Sequence, residues 1–279
     1  SGTGAMCAAL ENLINEGDKV LCLSLGNFGN RWAKIAESRG ADVEKIEVEA
    51  GQVIDPEVLK KRLAEDTNKE IKIVTLTHSA MPVKPDEWGI DVLVSGSQKG
   101  FMIPPGLAFL VANERAWKVY EQCKHPSFYF DWAAHKKAVE GDTTPFTPAV
   151  NLIVGLNTAL KMIKEEGIEN MNARHKRHCM ALRNALRAIN LELLVKDDND
   201  ASHSITSILP PEGISVPDIR STMKNDFDIV VANGQAKLKD KIFRMGTLGF
   251  VCDRDLIAAI GALEATLYKL GHKFELGNG

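Results

Sequence analysis

A lysine follows a predicted apolar strand, within the segment SGSQKG at residues 95–100. Small residues bracket Lys99, and such a setting keeps an amine partly away from water, which favours its neutral, nucleophilic form. The alternative is an ordinary surface lysine at a strand end. Taken alone, Lys99 is a candidate nucleophile or base.

A turn of small residues, SGTG at residues 1–4, precedes a predicted helix. Backbone N–H groups and hydroxyls converge on an anion in such a turn, and the helix dipole favours the bound negative charge. An ordinary helix N-cap is the alternative. The two features together support a stronger hypothesis, because a phosphate site on one loop and a strand-end lysine on another suit a phosphorylated cofactor that carries an aldehyde.

Alternating helix-like and strand-like patterns in the first half of the chain position these two features. Apolar residues recur at helical spacing over residues 4–16, 31–39 and 57–64, and β-like runs occupy residues 20–25, 42–48, 71–77, 91–95 and 107–112. Repeated βα units with continuous apolar strands predict an α/β fold with a mostly parallel sheet flanked by helices.

The connection between the predicted strands at residues 71–77 and 91–95 is not of the kind that joins adjacent parallel strands of a sheet. Parallel strands need a crossover of about a dozen or more residues, usually with a helix. The connecting residues, 78–90, include Pro82 and Pro85, so we expect no crossover helix between the two strands. Two explanations are open: the strands are not neighbours in the sheet, or a segment between them is missing.

The second half of the chain has a different pattern. Residues 149–166 and 168–189 predict two long helices separated by a glycine, and short β-like segments with further helices follow. We interpret a basic run in the second helix, residues 174–178, as a solvated helix face. We therefore expect a large domain, residues 1–155, and a smaller C-terminal α+β domain, residues 156–279.

Composition and charge limit the classes of partner. The 279 residues include 34 basic and 37 acidic side chains, a formal net charge of −3, so there is no overall positive field to bind nucleic acid. No run approaches the roughly 20 apolar residues that cross a bilayer, and residues 1–20 do not resemble a signal peptide. The five cysteines lack the spacing of a metal site. We expect a cytoplasmic protein with no metal and with neither nucleic acid nor membrane as a partner.

Four separated motifs resemble the class V aminotransferases, which are fold-type I enzymes that use pyridoxal phosphate (PLP). The motifs are SGTGAM at residues 1–6, LGNFGNRW at 25–32, DVLVSGSQKGFMIPPGLAFLVANERAW at 91–117 and IFRMGTLGF at 242–250. They occur in the family's order and extend over nearly the whole chain. The resemblance is to alanine–glyoxylate, serine–pyruvate and serine–glyoxylate aminotransferases. It implies transamination between a small amino acid, alanine or serine, and a 2-keto acid, glyoxylate or pyruvate.

The resemblance also implies roles for individual residues. Lys99 would form a Schiff base with PLP and later move a proton between the substrate Cα and the cofactor, and Arg244 would bind the substrate α-carboxylate. The other cofactor-binding candidates are Ser1, Gly2, Thr3 and Gln98 at the phosphate and Phe28 against the pyridine ring. In this family a neighbouring subunit completes the phosphate site, here through Thr144 or Thr147, so the resemblance implies a homodimer with shared active sites.

The chain departs from the family's pattern in two places. The family's N-terminal segment has no counterpart, and a few tens of residues are absent after Ser79, among them the aspartate that bonds the pyridine nitrogen. Either the parent protein is a normal enzyme and the chain omits segments, or the deletion is real and activity is small. The alternative functions are a non-catalytic fold-type I subunit acting as a partner protein and, less favoured, a PLP lyase or a cysteine desulfurase.

Overall fold

The computed structural model describes residues 1–78 and 83–279, which form two compact units. Unit 1 comprises Ser1–Glu49, Val53–Thr77 and Val83–Met162, and unit 2 comprises Ala50–Gln52, His78 and Ile163–Gly279. The break that the resemblance implies after Ser79 lies outside the described residues.

Unit 1 contains a parallel sheet formed by β1 (Lys19–Ser24), β2 (Asp42–Glu47) and β3 (Ile71–Thr75). The strand β1 is central, and its residue Lys19 lies opposite Asp42 of β2 and Ile71 of β3. Helices α1 (Gly2–Leu10), α2 (Asn27–Ser38) and α3 (Pro56–Glu65) alternate with these strands along the chain. The predicted α/β fold, a parallel sheet with flanking helices, is confirmed.

A second sheet of unit 1 carries the segment that contains Lys99. It consists of the antiparallel strands β4 (Val92–Gly96) and β5 (Ala108–Ala112), with Gly96 opposite Ala108. Because β3 pairs with β1 and β4 pairs with β5, the two strands on either side of the short connection are not hydrogen-bonded neighbours. The described part of that connection contains the short helix α4 (Pro85–Trp88).

The core of unit 1 lies between its helices and strands. Helix α1 packs against β4 and β5, and α2 packs against β1 and β2. The buried residues of this core include Met6 and Leu10 of α1, Val20 and Cys22 of β1, and Trp32 and Ala36 of α2. This packing holds the starts of α1 and α2 close to the end of β4.

Three further helices begin in unit 1: α5 (Glu114–Tyr120), α6 (Trp132–Glu140) and α7 (Val150–Glu166). Side chains cap the two shorter ones, because Asn113 accepts from the Ala116 N–H and Asp131 accepts from the Ala134 N–H. Hydrophobic periodicity does not predict α5 and α6, since each spans only a few turns. Their caps are the clearer sequence signal.

Unit 2 contains a three-stranded antiparallel sheet and three long helices. The strands are β6 (Ile205–Ile208), β7 (Ala232–Asn233) and β8 (Phe243–Gly246), with β8 in the centre. The helices are α8 (Ile168–Ala188), α9 (Val216–Phe227) and α10 (Asp253–Lys269). Their buried apolar residues form one core, which includes Leu186, Ile208, Met223, Phe243 and Leu263.

The prediction of a solvated basic face on α8 is wrong for the two histidines. His175 and His178 are each only 1% exposed, whereas Lys176 and Arg177 are exposed. Helical spacing explains the difference, because residues three or four apart share a face and these histidines share theirs with the buried Leu182. None of the helices in residues 1–78 and 83–279 has the length and hydrophobicity to cross a membrane.

Candidate active site

Lys99 follows β4 in a tight turn that the buried Ser97 holds together. The Ser97 hydroxyl donates to the Pro104 carbonyl at 2.8 Å and accepts from the Leu107 N–H at 3.2 Å. The Lys99 N–H donates to the Gly96 carbonyl at 3.1 Å. The backbone at Lys99 is thus fixed while its side chain is exposed, so the described residues do not give the amine the shielding from water that small neighbours led us to expect.

Phe28 lies beside the amine of Lys99, in the first turn of α2. The Lys99 Nζ is 5.5 Å from the centre of the Phe28 ring, and the Arg31 Cζ is 5.1 Å from the same ring. A Cβ at residue 29 would lie 2.6 Å from the Ser24 Cα. Gly29 therefore lets α2 start directly against the end of β1, and this places Phe28 at the same edge of unit 1 as Lys99.

Arg31 connects the Phe28 ring to the first turn of α1. Its Nη1 donates to Thr3 Oγ1 at 2.8 Å. A guanidinium has no acceptor, so the Thr3 oxygen accepts this bond and the hydroxyl proton of Thr3 remains for another acceptor. None of the described side chains caps the start of helix α1, and its first N–H groups carry partial positive charge. Within residues 1–78 and 83–279, neither Arg31 nor Lys99 forms an ion pair with a carboxylate, so positive charge collects here without a counter-ion.

Gly96 leaves space between Gln98 and the start of α1. A Cβ at residue 96 would lie 2.7 Å from Gln98 Oε1 and 3.1 Å from the Gly2 nitrogen. The structure therefore brings Gly2, Thr3, Phe28, Gln98 and Lys99 together at one edge of unit 1, with Ser1 at the N-cap of α1.

The residues of this cluster fit a phosphate joined to an aldehyde, as in PLP. The Thr3 hydroxyl, the first N–H groups of α1 and the Arg31 guanidinium offer donors and positive charge to a phosphate. The Lys99 amine is the group that condenses with an aldehyde, and the space beside Gly96 would be lost if a Cβ were present. Sequence reasoning missed Arg31, although it lies in the same motif as Phe28.

The structure does not join Thr144 or Thr147 to this cluster within one chain. Thr144 Oγ1 donates to the Phe146 carbonyl at 2.7 Å, and the Thr147 side chain makes no hydrogen bond to any described residue. The ring of Phe146 stacks on Tyr129, with centroids 4.8 Å apart. Both threonines are exposed, so both remain accessible to another molecule.

Arg244 lies on β8 in unit 2, opposite Ser207 of β6 and Ala232 of β7. Its Nε donates to the Asn233 carbonyl at 2.8 Å, and no other described residue forms a hydrogen bond or an ion pair with its side chain. Burial lowers the pKa of Arg244, because desolvation disfavours the charged guanidinium. A half-buried cation without a carboxylate is unfavourable by itself, so Arg244 is suited to an anionic ligand.

Two of the five cysteines lie in surroundings that disfavour a nucleophilic thiolate. All five are free. Burial raises the pKa of Cys7 and of Cys22, and both therefore favour the neutral thiol. In the described part of the chain, histidine, cysteine, aspartate and glutamate side chains form no group of three or more that could hold a metal ion.

Three matches place the chain among known proteins. A family model described as aminotransferase class-V matches residues 76–247. The soluble hydrogenase 42 kDa subunit of Anabaena cylindrica is 43% identical, over all of this chain and 82% of that protein. The serine–glyoxylate aminotransferase of Methylorubrum extorquens is 31% identical, over all of this chain and 79% of that protein.

A solved structure also matches the whole chain. Ureidoglycine–glyoxylate aminotransferase from Bacillus subtilis superposes with a TM-score of 0.91 at 28% identity, over all of this chain and 80% of that one. The sequence alignment with the Anabaena cylindrica protein extends over 314 positions against the 279 residues of this chain. That relative therefore has residues inside the aligned region for which this chain has no counterpart.

Proposed function

Because the chain belongs to the class-V aminotransferase family, we propose that it transfers the amino group of alanine or serine to glyoxylate or pyruvate. The observation that carries this proposal is the cluster of Lys99, Phe28, Thr3 and Arg31, which combines an amine, an aromatic ring and an anion site within one unit. The protein is a PLP-dependent aminotransferase, and the choice of donor and acceptor is the proposed part.

The cofactor carries the electronic part of the chemistry: bound PLP supplies an aldehyde that captures amines and a ring that accepts electrons from the substrate Cα. The residues of unit 1 would hold PLP. Lys99 would hold the aldehyde carbon, and its free amine would move a proton between the substrate Cα and the cofactor C4′. Thr3, Arg31 and the start of α1 would hold the phosphate, and Phe28 would lie beside the ring.

Arg244 is proposed to bind the substrate carboxylate. Its planar guanidinium suits a bidentate contact with a carboxylate better than a lysine would. The lowered pKa of Arg244 and the absence of a carboxylate partner among residues 1–78 and 83–279 support this role, because a bound carboxylate would compensate for the burial of the charge. Two related proteins are named for glyoxylate as a substrate, and this supports glyoxylate as the acceptor.

We also propose that the enzyme acts as a homodimer. Helix α7 exposes Val150 by 60%, Ile153 by 41%, Val154 by 62% and Leu160 by 46%, and helical spacing places these side chains on one face. Exposed apolar side chains grouped on one helix face are typical of an interface, although the exposed Asn157 and Lys161 lie among them. The exposed Thr144 and Thr147 lie directly before α7, so a second copy covering α7 would lie beside them.

A second candidate is a non-catalytic subunit of a larger complex. It is favoured by the name of the Anabaena cylindrica relative, which is called a subunit of a soluble hydrogenase. Such a subunit would not need an amine that reacts with PLP. The reactivity of Lys99 therefore separates the two functions.

The test combines spectroscopy with an activity assay. We expect the purified protein to show the visible absorbance of lysine-bound PLP and to aminate glyoxylate from alanine or serine, with the products measured by chromatography. Lys99→Ala is expected to abolish both signals, whereas Lys118→Ala, a change of an exposed lysine on α5, retains them. If the wild-type protein with added PLP shows neither signal, the proposed transfer from alanine or serine fails and the partner-subunit function is favoured.

A further inference from the structure

Among the described residues, Arg244 makes one side-chain hydrogen bond, and this bond determines which edge of its guanidinium remains to bind a ligand. Nε donates to the Asn233 carbonyl at 2.8 Å, so Nε is not available to the substrate. The edge formed by the two terminal nitrogens remains available, and this edge can donate hydrogen bonds to both oxygens of a carboxylate. The direction of the Asn233 carbonyl therefore influences where that carboxylate binds.

Asn233 is held by Asp240 across the hairpin that joins β7 to β8. Asn233 Nδ2 donates to Asp240 Oδ1 at 2.6 Å, and Asn233 Oδ1 accepts from the Asp240 N–H at 3.0 Å. Asp240 has a φ of +58°, a conformation in which aspartate and asparagine are enriched among residues other than glycine. The Asn233 side chain thus bonds both the side chain and the backbone of Asp240, which joins the last residue of β7 to a residue near the end of the hairpin loop.

The loop between β7 and β8 is closely folded. The Gly234 N–H donates to the Ile242 carbonyl at 2.9 Å, and a Cβ at residue 234 would lie 1.9 Å from the Leu238 carbonyl oxygen. The backbone after Asn233 therefore runs directly against the backbone at Leu238. If the hydrogen bonds between Asn233 and Asp240 were lost, the position of the Asn233 carbonyl would change, because that carbonyl belongs to the residue that anchors the loop.

We propose that Asn233 and Asp240 are positioning residues for Arg244: their reciprocal hydrogen bonds fix the carbonyl that holds Nε, and the terminal nitrogens of Arg244 are thereby presented to the α-carboxylate of the substrate. This inference rests on the proposed role of Arg244. Asn233 and Asp240 act through Arg244 and take no part in the covalent chemistry.

The experiment measures substrate affinity apart from turnover. The PLP-loaded enzyme is titrated with alanine or serine, and the change in visible absorbance gives an apparent Kd; kcat and KM are measured in parallel. Asn233→Ala and Asp240→Ala are each expected to raise Kd and KM by about 3- to 10-fold, the range that corresponds to one lost hydrogen bond, while kcat at saturation changes little. Since the two residues act as a pair, the double alanine variant is expected to bind no more weakly than either single variant.

Two conservative variants keep the proposal testable if an alanine variant does not fold. Asp240→Asn retains an acceptor for Asn233 Nδ2 as well as the backbone N–H, so its Kd is expected to match the wild type. Asn233→Asp places a second carboxylate next to that of Asp240, and the repulsion between them is expected to weaken binding of the amino acid. Adding Asp240→Asn to Asn233→Asp restores a donor between the two side chains, and this double variant is expected to recover the affinity.

The control uses a similar pair elsewhere in unit 2. Asn199 Nδ2 donates to Asp197 Oδ1 at 3.0 Å, and Asn199→Ala is expected to leave Kd unchanged. If Arg244→Lys weakens amino-acid binding while the Asn233 and Asp240 variants bind like the wild type, the positioning role is overturned and the proposed function stands. If Arg244→Lys itself leaves Kd unchanged, the proposed role of Arg244 fails, and the positioning role fails with it.

Discussion

Gly96 keeps open the space between the end of β4 and the start of α1. In Gly96→Ala the new Cβ would lie 2.7 Å from Gln98 Oε1 and 3.1 Å from the Gly2 nitrogen, so the first turn of α1 would have to shift. We expect PLP affinity to fall about tenfold, as for mild overpacking, in an absorbance titration of the apoenzyme. Gly155→Ala is the matched control, because a Cβ there meets Ile103 at an ordinary 3.8 Å, and it is expected to keep the wild-type affinity.

Arg31 provides a second prediction at the residue scale, since it orients the Thr3 hydroxyl and adds charge next to it. Arg31→Met is expected to weaken PLP binding by about tenfold or more, the range for a hydrogen bond from a charged donor. Binding of pyridoxal, which lacks the phosphate, should hardly change. Arg39→Met removes a comparable bond, from Arg39 to the His125 carbonyl at 2.6 Å, and should affect neither ligand. Equal weakening of PLP and pyridoxal would contradict a role at the phosphate.

Residue type made part of the candidate site predictable. Lys99 is a candidate because a lysine at the end of an apolar strand, taken together with the separate turn of small residues at 1–4, implies a specific chemistry, and the structure places its amine beside Phe28. The bonds from Arg31 to Thr3 and from Asn233 to Asp240 were not predictable in the same way. They depend on the packing of α2 against α1 and on the path of a hairpin, and no spacing in the sequence encodes either contact.

At the scale of elements, the long helices were easier to predict from the sequence than the short ones. Residues 149–166 and 168–189 gave clear helical patterns, and α7 and α8 begin and end within one residue of them, with Gly167 at a φ of +83° between them. The short helices α5 and α6 were not predicted, because a helix of only a few turns does not produce a clear hydrophobic periodicity. The basic run on α8 was misinterpreted because charge was considered without the helical spacing of His175 and His178.

Helix α8 also holds the loop that follows β8, through a buried histidine. His175 Nε2 accepts from the Gly249 N–H at 2.9 Å, and its Nδ1 lies 2.7 Å from the Met171 carbonyl. A backbone N–H only donates, so Nε2 must be unprotonated and the ring neutral. Burial lowers the pKa of His175; the charges of Arg174 and His178 act in the same direction, while Glu166 and the Met171 carbonyl oppose them.

This histidine predicts a loss of stability in acid. The folded-state pKa lies below the unfolded value of about 6.5, so the unfolded chain binds the proton more readily. The stability contributed by neutral His175 is therefore fully present above about pH 6.5 and is lost as the pH falls through the folded-state pKa. Thermal unfolding between pH 8 and 5 measures this loss.

The variant that tests this prediction is His175→Gln, which stays neutral and offers an oxygen to the Gly249 N–H. Its melting temperature is expected to fall less than that of the wild type as the pH is lowered. His135→Gln, at an exposed position on α6, is the control and should reproduce the wild-type profile. An unchanged pH dependence in His175→Gln would show that another group dominates acid unfolding.

At the scale of the whole molecule, the family was predictable because the chemistry of one cofactor requires particular residues in separated motifs. The α/β pattern alone would not have been enough, since many unrelated functions share such folds. Substrate choice was not predictable, because it depends on the shape of a pocket. The aligned relative from Anabaena cylindrica contains residues that have no counterpart here, so this chain's own donor preference has to be measured.

The proposed homodimer gives the last prediction. Val154 on α7 is 62% exposed, and Val154→Glu would place a charge on the apolar face that a second copy is proposed to cover, which is costly without a partner for the charge. Sedimentation analysis is expected to show a dimer for the wild type and monomers for Val154→Glu at the same concentration. Val230→Glu, at a position 72% exposed in unit 2, should remain dimeric. If Thr144 or Thr147 completes the phosphate site of the neighbouring copy, PLP affinity will fall together with dimerisation; a monomeric variant with wild-type PLP affinity would instead show that each chain holds the phosphate alone.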